Sequence, residues 1–370
     1  MRLCRSALVC FFLFSGLIGL QAGSLDNWTL RTSGTTNDLF GVAYGNGIFV
    51  AVGTNGITLT SADSLAWTSR ASGTTNDLNG IAFGDGSFVA VGDLGTILTS
   101  ADGVTWTPRA SGFPSSYHTI AHANGLFLAA GFGGTIATST NAVAWTLHSA
   151  GITNALHSVD YANGVYVAAG FRGGMVTSAD AVAWTNRNSG VSATLYATAY
   201  GNGAFVTAGF QGTMIASPDG LTWSGRNSSS TNSLRSAINL NGTFVVTGFR
   251  GTILSSSDGV LWTNRVSGTT NALRAIAVGS TNLVVVGHRG TIVQTALVPA
   301  PRLENPRWVG NNSSFSFISY SEATYTIEYK DTLTAPSWTF LRTALGTGGI
   351  ISISDANAIS RSRFYRARAE

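Results

Sequence analysis

Seven tryptophans stand at positions 28, 67, 106, 145, 184, 223 and 262, so every interval is 39 residues with no insertion or deletion. A period this regular means that one supersecondary unit is copied along the chain. Each copy is too small to bury its apolar face alone and must stack on its neighbours, which leaves ring-shaped and solenoidal architectures as the choices. Between tryptophans the same text recurs: Trp-Thr-x-Arg-x-Ser-Gly, a Leu-led run such as 39–44, Gly45-Asn46-Gly47, Phe49-Val50-Ala51-Val52-Gly53, Gly56, and Ile57 to Ser61.

Four short runs rich in Val, Ile, Phe, Tyr and Thr fall within each period, separated by glycines that accept the positive φ of hairpin turns, and none has the length or period of an amphipathic helix. Phe49-Val50-Ala51-Val52 has no polar side, as a strand covered on both faces requires. The last unit stops at Thr295 without a Trp strand, whereas Asp26 to Arg31 is a Trp strand with no preceding three. The expected fold class is therefore all-β: a seven-bladed β-propeller over residues 24–298, closed by the N-terminal strand in the last blade, which removes free sheet edges.

The loop before each Trp has a shared form: Ser61-Ala62-Asp63, Ser100-Ala101-Asp102-Gly103, Ser139-Thr140-Asn141, Ser178-Ala179-Asp180, Ser217-Pro218-Asp219-Gly220 and Ser256-Ser257-Asp258-Gly259. These loops resemble the Asp-box (BNR-like repeat) of sialidase-type propellers, with one residue fewer between Asp and Trp. The whole unit resembles propellers of the photosystem II assembly and stability factor type. The resemblance runs from Trp28 to about Thr295. It implies that Ser and Asp satisfy backbone N–H groups in the turn, that Trp packs into the sheet interface, and that the boxes lie away from any active site.

The chain opens with Arg2 and Arg5, an apolar run from Ala7 to Leu20 and then Ala22, the pattern of a signal peptide over residues 1–22; the run is short for a membrane span. Secretion to the periplasm, cell surface or medium is expected, with no membrane span after cleavage. Both cysteines, Cys4 and Cys10, fall in this leader, so the mature chain is expected to lack thiol and disulfide chemistry. From Ser24 to Val298 there are 11 arginines and 11 aspartates, so the main domain is neutral and lacks the basic stripe that nucleic acid requires. Val298-Pro299-Ala300-Pro301 reads as a linker. Beyond it, five alternating runs (Phe315 to Ile318, Tyr325 to Tyr329, Trp338 to Leu341, Ile350 to Ile353, Arg363 to Arg368) suggest a small β-sandwich over residues 302–370. It is similar to C-terminal modules of secreted bacterial proteins.

In a propeller the second-to-third and fourth-to-first connections share one face, at the channel mouth. Twelve residues after each Trp stand Phe40, Asn79, His118, His157, Tyr196, Arg235 and Arg274; in the second-to-third turns stand Asn55, Leu94, Gly133, Arg172, Gln211, Arg250 and Arg289. The candidate ligand-binding residues are Arg172, Arg250, Arg289, Arg235, Arg274, His157, Tyr196 and Gln211. They form an electropositive half-mouth for an anionic or polar ligand, with Asp38, Asp77 and Asp93 on the other side. His118 and His157 occupy equivalent positions in adjacent blades and can approach one another, but with no third ligand nearby no metal site is assigned. The arginines three residues after Trp (31, 70, 109, 187, 226 and 265, with His148 in the remaining repeat) belong to the repeat, and are expected to cover blade edges and bond a neighbouring turn.

A sialidase-like hydrolase is the competing reading. The ring has no glutamate before Glu304 and no lysine before Lys330, lacks a Phe-Arg-Ile-Pro signature, and leaves only Asp38, Asp77, Asp85, Asp93 and Asp160 as carboxylates outside the turns and the N-terminal strand. The sequence therefore favours a non-catalytic, monomeric binding or assembly scaffold for a protein or glycan partner, using no cofactor. A carbohydrate-active enzyme working through mouth aspartates is the alternative.

Overall fold

The computed structural model describes residues 27–299 without a break, together with 20–22, 25, 301, 303–309, 312–319, 324–332, 334–335, 337–356, 358 and 363–369. Most of the expected leader lies outside the described residues. The chain forms two compact units, one spanning residues 25–295 and the other containing the described residues 20–22 and those from 296 onward.

In the first unit each repeat becomes one antiparallel four-stranded sheet. Leu39–Gly45, Ile48–Gly53, Thr58–Ser61 and Thr68–Arg70 pair in that order, and five further repeats do the same. The last repeat supplies Leu273–Val278, Asn282–Gly287 and Ile292–Pro299, and its fourth place is taken by Thr29–Arg31 from the start of the unit, paired with Ile292 to Gln294. The Ser24–Val298 repeat region thus begins with a strand that completes the sheet with which it ends.

The turns follow from the residues at their apices. Between second and third strands, Ile57 N–H donates to Thr54 O at 3.1 Å. Asn55 (φ 54, ψ 31) and Gly56 (φ 67) occupy two successive left-handed positions. That is the two-residue type I′ hairpin, whose twist matches the flanking strands. The glycine has no substitute, because a Cβ at Gly56 would lie 2.1 Å from Thr74 O.

Second strands are covered on both faces, with Phe49, Val50, Ala51 and Val52 all at most 2% exposed. The core is divided among sheet interfaces. One cluster joins Leu39, Val42, Phe49 and Leu59 of the first sheet to Val284, Val286 and Ile292 of the last. Another joins Val50 and Val52 to Leu78, Phe88 and Leu98 of the next sheet. First strands pack on first strands from sheet to sheet, including Leu273–Val278 against Leu39–Gly45.

At the other end of the sheets, Asp63 Oδ1 accepts the N–H groups of Leu65 and Ala66 at 2.8 and 3.0 Å, and the Ser61 hydroxyl at 3.1 Å. Trp67 Nε1 donates to Ser64 O at 3.2 Å while its ring lies 6.3 Å from that of Phe49. Asn141 accepts from Val143 and Ala144 in the same way, so the turn needs an acceptor and not a charge.

The repeated arginines behave differently from expectation. Arg70 Nε donates to Thr60 Oγ1 at 3.0 Å, and Arg109, Arg187 and Arg265 donate to Thr99, Thr177 and Ser255. Each reaches diagonally across its own sheet to the third strand, instead of to a neighbouring turn. Arg226 faces Ala216, which has no hydroxyl, and turns to Ser224 at 2.8 Å.

The second unit contains two three-stranded antiparallel sheets, one of Glu304–Val309, Asn312–Ile318 and Ile350–Asp355, the other of Thr339–Leu345, Thr324–Lys330 and Phe364–Ala369. Phe315, Phe317 and Ile353 of the first pack with Tyr325 and Ile327 of the second. Glu304–Val309 is a strand without a counterpart in the sequence reading. It contains Pro306, is exposed except at Trp308, and its register shifts between Glu304 and Arg307, so it shows no alternation. Leu20–Ala22 pairs with Leu297–Pro299.

Candidate functional site

The first strands of all seven sheets frame a cavity of about 570 Å³. A bulge at the start of these strands, as between Leu39 and Gly41, lies beside the residue twelve positions after each Trp, and those residues line the cavity. There they form a belt of planar groups in ring-to-ring contact. His118 stacks on His157 with centroids 4.8 Å apart, and His157 meets Tyr196 at 5.4 Å. The Arg235 guanidinium lies 3.7 Å from the Tyr196 ring centre and 4.8 Å from that of Phe249. Arg274 lies 5.4 Å from the ring of Phe40. Asn79 interrupts the belt, its amide donating to Asp93 Oδ1 at 2.8 Å and Tyr117 O at 3.0 Å.

Burial sets the charges of this belt. It pushes the His157 imidazole down to about 4, with His118 and Arg235 adding to the effect, and lowers His118 as well. It also brings Arg235 down to about 10, helped by the charge of Arg274. At neutral pH the histidines are therefore uncharged and the arginines remain cations. Arg235 Nε is buried without a hydrogen-bond partner. Arg274 Nε–H donates to His288 Nε2 at 2.8 Å, which requires that nitrogen to be unprotonated. The 3.9 Å approach of His288 to Asp38 is accordingly not an ion pair of charged groups.

Arg172, Gln211, Arg250 and Arg289 occupy the first apex position of the second-to-third turns, with φ between 51 and 55 and exposed side chains. Backbone groups of these turns are tied to the next sheet: Arg172 N–H to Thr194, Gln211 N–H to Ser233 and Arg289 N–H to Asp38 Oδ1, the last at 2.8 Å. Arg235, Arg274, His157 and Tyr196 are thus gathered in one belt, whereas Arg172, Gln211, Arg250 and Arg289 stand separately on turns at the same end of the sheets.

The turns also carry residues that, Asp93 apart, the sequence reading left out. The position before each apex holds Thr54, Asp93, Phe132, Phe171, Phe210, Phe249 and His288. Phe132, Phe171 and Phe210 are 64%, 44% and 44% exposed. Superposing the repeats on one another exposes this phenylalanine run in the sequence itself.

Each of the five carboxylates that a hydrolase could draw on has a local partner. Asp38 and Asp77 accept the N–H of Arg289 and Asn55, both at 2.8 Å. Asp93 accepts Asn79, Asp85 pairs with His122 at 2.9 Å, and Asp160 accepts the Tyr161 N–H at 2.8 Å. Among the described residues no group of three or more His, Cys, Asp or Glu could hold a metal ion, and no helix is long and apolar enough to cross a membrane.

No family model and no curated protein matches the chain. Solved structures do. The chain is similar to YCF48 bound to D1 peptide at 16% identity and a TM-score of 0.62, over 74% of this chain and 98% of that one. It is similar to the WD40 β-propeller domain of Doa1 at 12% identity and a TM-score of 0.61, over 75% and 97%. It is also similar to a catalytically inactive virginiamycin B lyase from Staphylococcus aureus with quinupristin, at 8% identity and a TM-score of 0.64, over 74% and 100%. At such identities the likeness speaks to architecture alone. The repeat region is a β-propeller.

Proposed function

We propose that this chain is a non-catalytic binding scaffold that holds a segment of a partner protein at the mouth of a closed seven-bladed propeller. The observation that carries the reading is the pair Arg235 and Arg274. Two cations stand side by side in the mouth, one with a buried and unpartnered Nε, and the surrounding histidines are neutral. Such an arrangement stabilises an incoming anion more than it stabilises the empty protein. Arg172, Arg250 and Arg289 extend the positive arc outward. Ring closure is supported by the Thr29–Arg31 strand in the last sheet and by the core shared between first and last sheets.

A protein partner is supported by the likeness to a YCF48 structure that contains a peptide. Against catalysis stand the five aspartates, each held by a structural partner. The Ser–Asp–Trp turns fit Asp-boxes serving the fold, since their acceptors are used on backbone N–H groups. The basic and apolar sequence of residues 1–22, read as a leader, supports a scaffold that acts outside the cytoplasm, with residues 302–370 as its accessory β-sandwich.

The test is to probe peptide and glycan arrays in parallel with the mature chain and with the triple variant R172A/R250A/R289A. Acidic peptides are expected to bind the parent and to fall at least tenfold with the variant at unchanged melting temperature. Binding confined to glycans, or unaffected when Arg235→Gln and Arg274→Gln are added to the triple change, overturns the reading.

A further inference from the structure

The mouth is divided along its circumference, and the division describes the partner. Phe132, Phe171 and Phe210 occupy the same turn position in three consecutive sheets, and Leu94, on the turn before them, is 71% exposed. The turns that carry them each pack on the first strand of the following sheet, so these side chains share one rim. The next two sheets supply Arg235, Arg250, Arg274 and Arg289, while Arg172 stands within the phenylalanine run with its guanidinium 5.2 Å from the Phe171 ring. One arc is rich in exposed phenylalanine and the adjoining one is cationic.

The repeat provides its own control for whether these phenylalanines serve the fold. At the same position the other turns carry Thr54, Asp93 and His288 and build the same hairpin, with Gly53 N–H bonded to Ile57 O at 3.1 Å in the Thr54 turn and Gly287 N–H to Thr291 O at 2.9 Å in the His288 turn. A polar residue thus suffices there. Phe249, the fourth of the run, is partly covered because it stacks on Arg235, which marks where the apolar arc gives way to the cationic one. Contiguous exposed aromatics on a folded protein signal a surface that another molecule covers.

We infer that the mouth binds a protein segment that is apolar over one stretch of its length and acidic over the next, the apolar stretch lying on Phe132, Phe171 and Phe210 and the acidic stretch reaching Arg235 and Arg274. The inference rests on the mouth being the binding site and adds the apolar half of the recognition. Charge complementarity commits it to a peptide carrying carboxylates.

Three fluorescein-labelled synthetic dodecapeptides serve as probes in fluorescence anisotropy: an amphiphilic peptide with a Leu/Phe half and an Asp/Glu half, a second with the apolar half replaced by Ser, and a third with the acidic half replaced by Ser. Each is titrated with the parent chain and with F132S/F171S/F210S. The amphiphilic peptide is expected to bind best, and the phenylalanine variant to weaken it at least tenfold while leaving the melting temperature within 2–3 °C, roughly the change produced by ~1 kcal/mol. If the Ser/acid peptide binds as well as the amphiphilic peptide and the variant changes neither, the apolar arc has no role, although the cationic site stands. If neither acidic peptide binds the parent, both readings fail. Binding of phosphatidylcholine vesicles that depends on the phenylalanines, with no peptide binding, would assign the arc to a membrane and overturn the inference.

Discussion

Replacing Arg172, Arg250 and Arg289 together by glycine separates binding from folding. All three hold φ between 53 and 55, in the left-handed region that costs a side-chain-bearing residue about 1–2 kcal/mol. Glycine removes that cost but adds about 0.5–1 kcal/mol through the greater entropy of the unfolded chain. The side chains are exposed and carry no core packing, and Gly133 already occupies the equivalent position at φ 65. The net change is therefore between about 0 and +1.5 kcal/mol per site. At about 2 °C per kcal/mol for a unit of this size, calorimetry should show a melting temperature unchanged or raised by several degrees. Anisotropy with an acidic peptide should show binding lost. A fall in melting temperature of more than about 4 °C would refute the reasoning, because it would mean that these arginines support the turns.

The neighbouring residue should behave in the opposite way. Gly290→Ala places a Cβ 2.0 Å from Thr35 O across the junction of first and last sheets, so a loss of about 2–4 kcal/mol is expected in urea unfolding. Asp102→Ala removes the acceptor of Val104 and Thr105 N–H, with an expected cost of about 1 kcal/mol, whereas Asp102→Asn should be nearly neutral, as Asn141 already is in its own turn. The Asp102 carboxyl is held down to about 2, chiefly by the Thr105 and Val104 N–H groups, below its ordinary 3.8. Its contribution is present above pH 4 and lost as pH falls toward 2, so the parent should fall below Asp102→Asn in acid melts. His157, near 4 in the fold and about 6.5 when unfolded, takes up its proton first in the unfolded chain, so stability should drop as pH falls from 6.5 to 4. His157→Phe should flatten that part of the profile.

What the sequence made legible was whatever the repeat encodes locally. Glycine pairs fix hairpin turns, Phe49 to Val52 announces a strand covered on both faces, and the unmatched Trp28 strand forecasts its pairing with Ile292 to Gln294. The belt was legible as a set of equivalent positions, including the approach of His118 to His157. Its electrostatics were not, because whether a histidine is charged depends on burial that only the packed sheets create. Asp38 and Asp77 read as free carboxylates at the mouth because their partners, the N–H groups of Arg289 and Asn55, lie in the preceding sheet. Phe132, Phe171 and Phe210 escaped notice because an aromatic beside a strand reads as core, and only the fold turns them outward.

Docking at the mouth is tested most directly by hydrogen–deuterium exchange of the whole chain with and without the tightest-binding array peptide. Protection is expected at the turns around 132–134, 171–173, 210–212 and 249–251 and at the start of the strand holding Arg235, with exchange at the Asp63, Asp102 and Asp219 turns unchanged. Protection at those opposite turns, with the mouth exchanging as before, would contradict it.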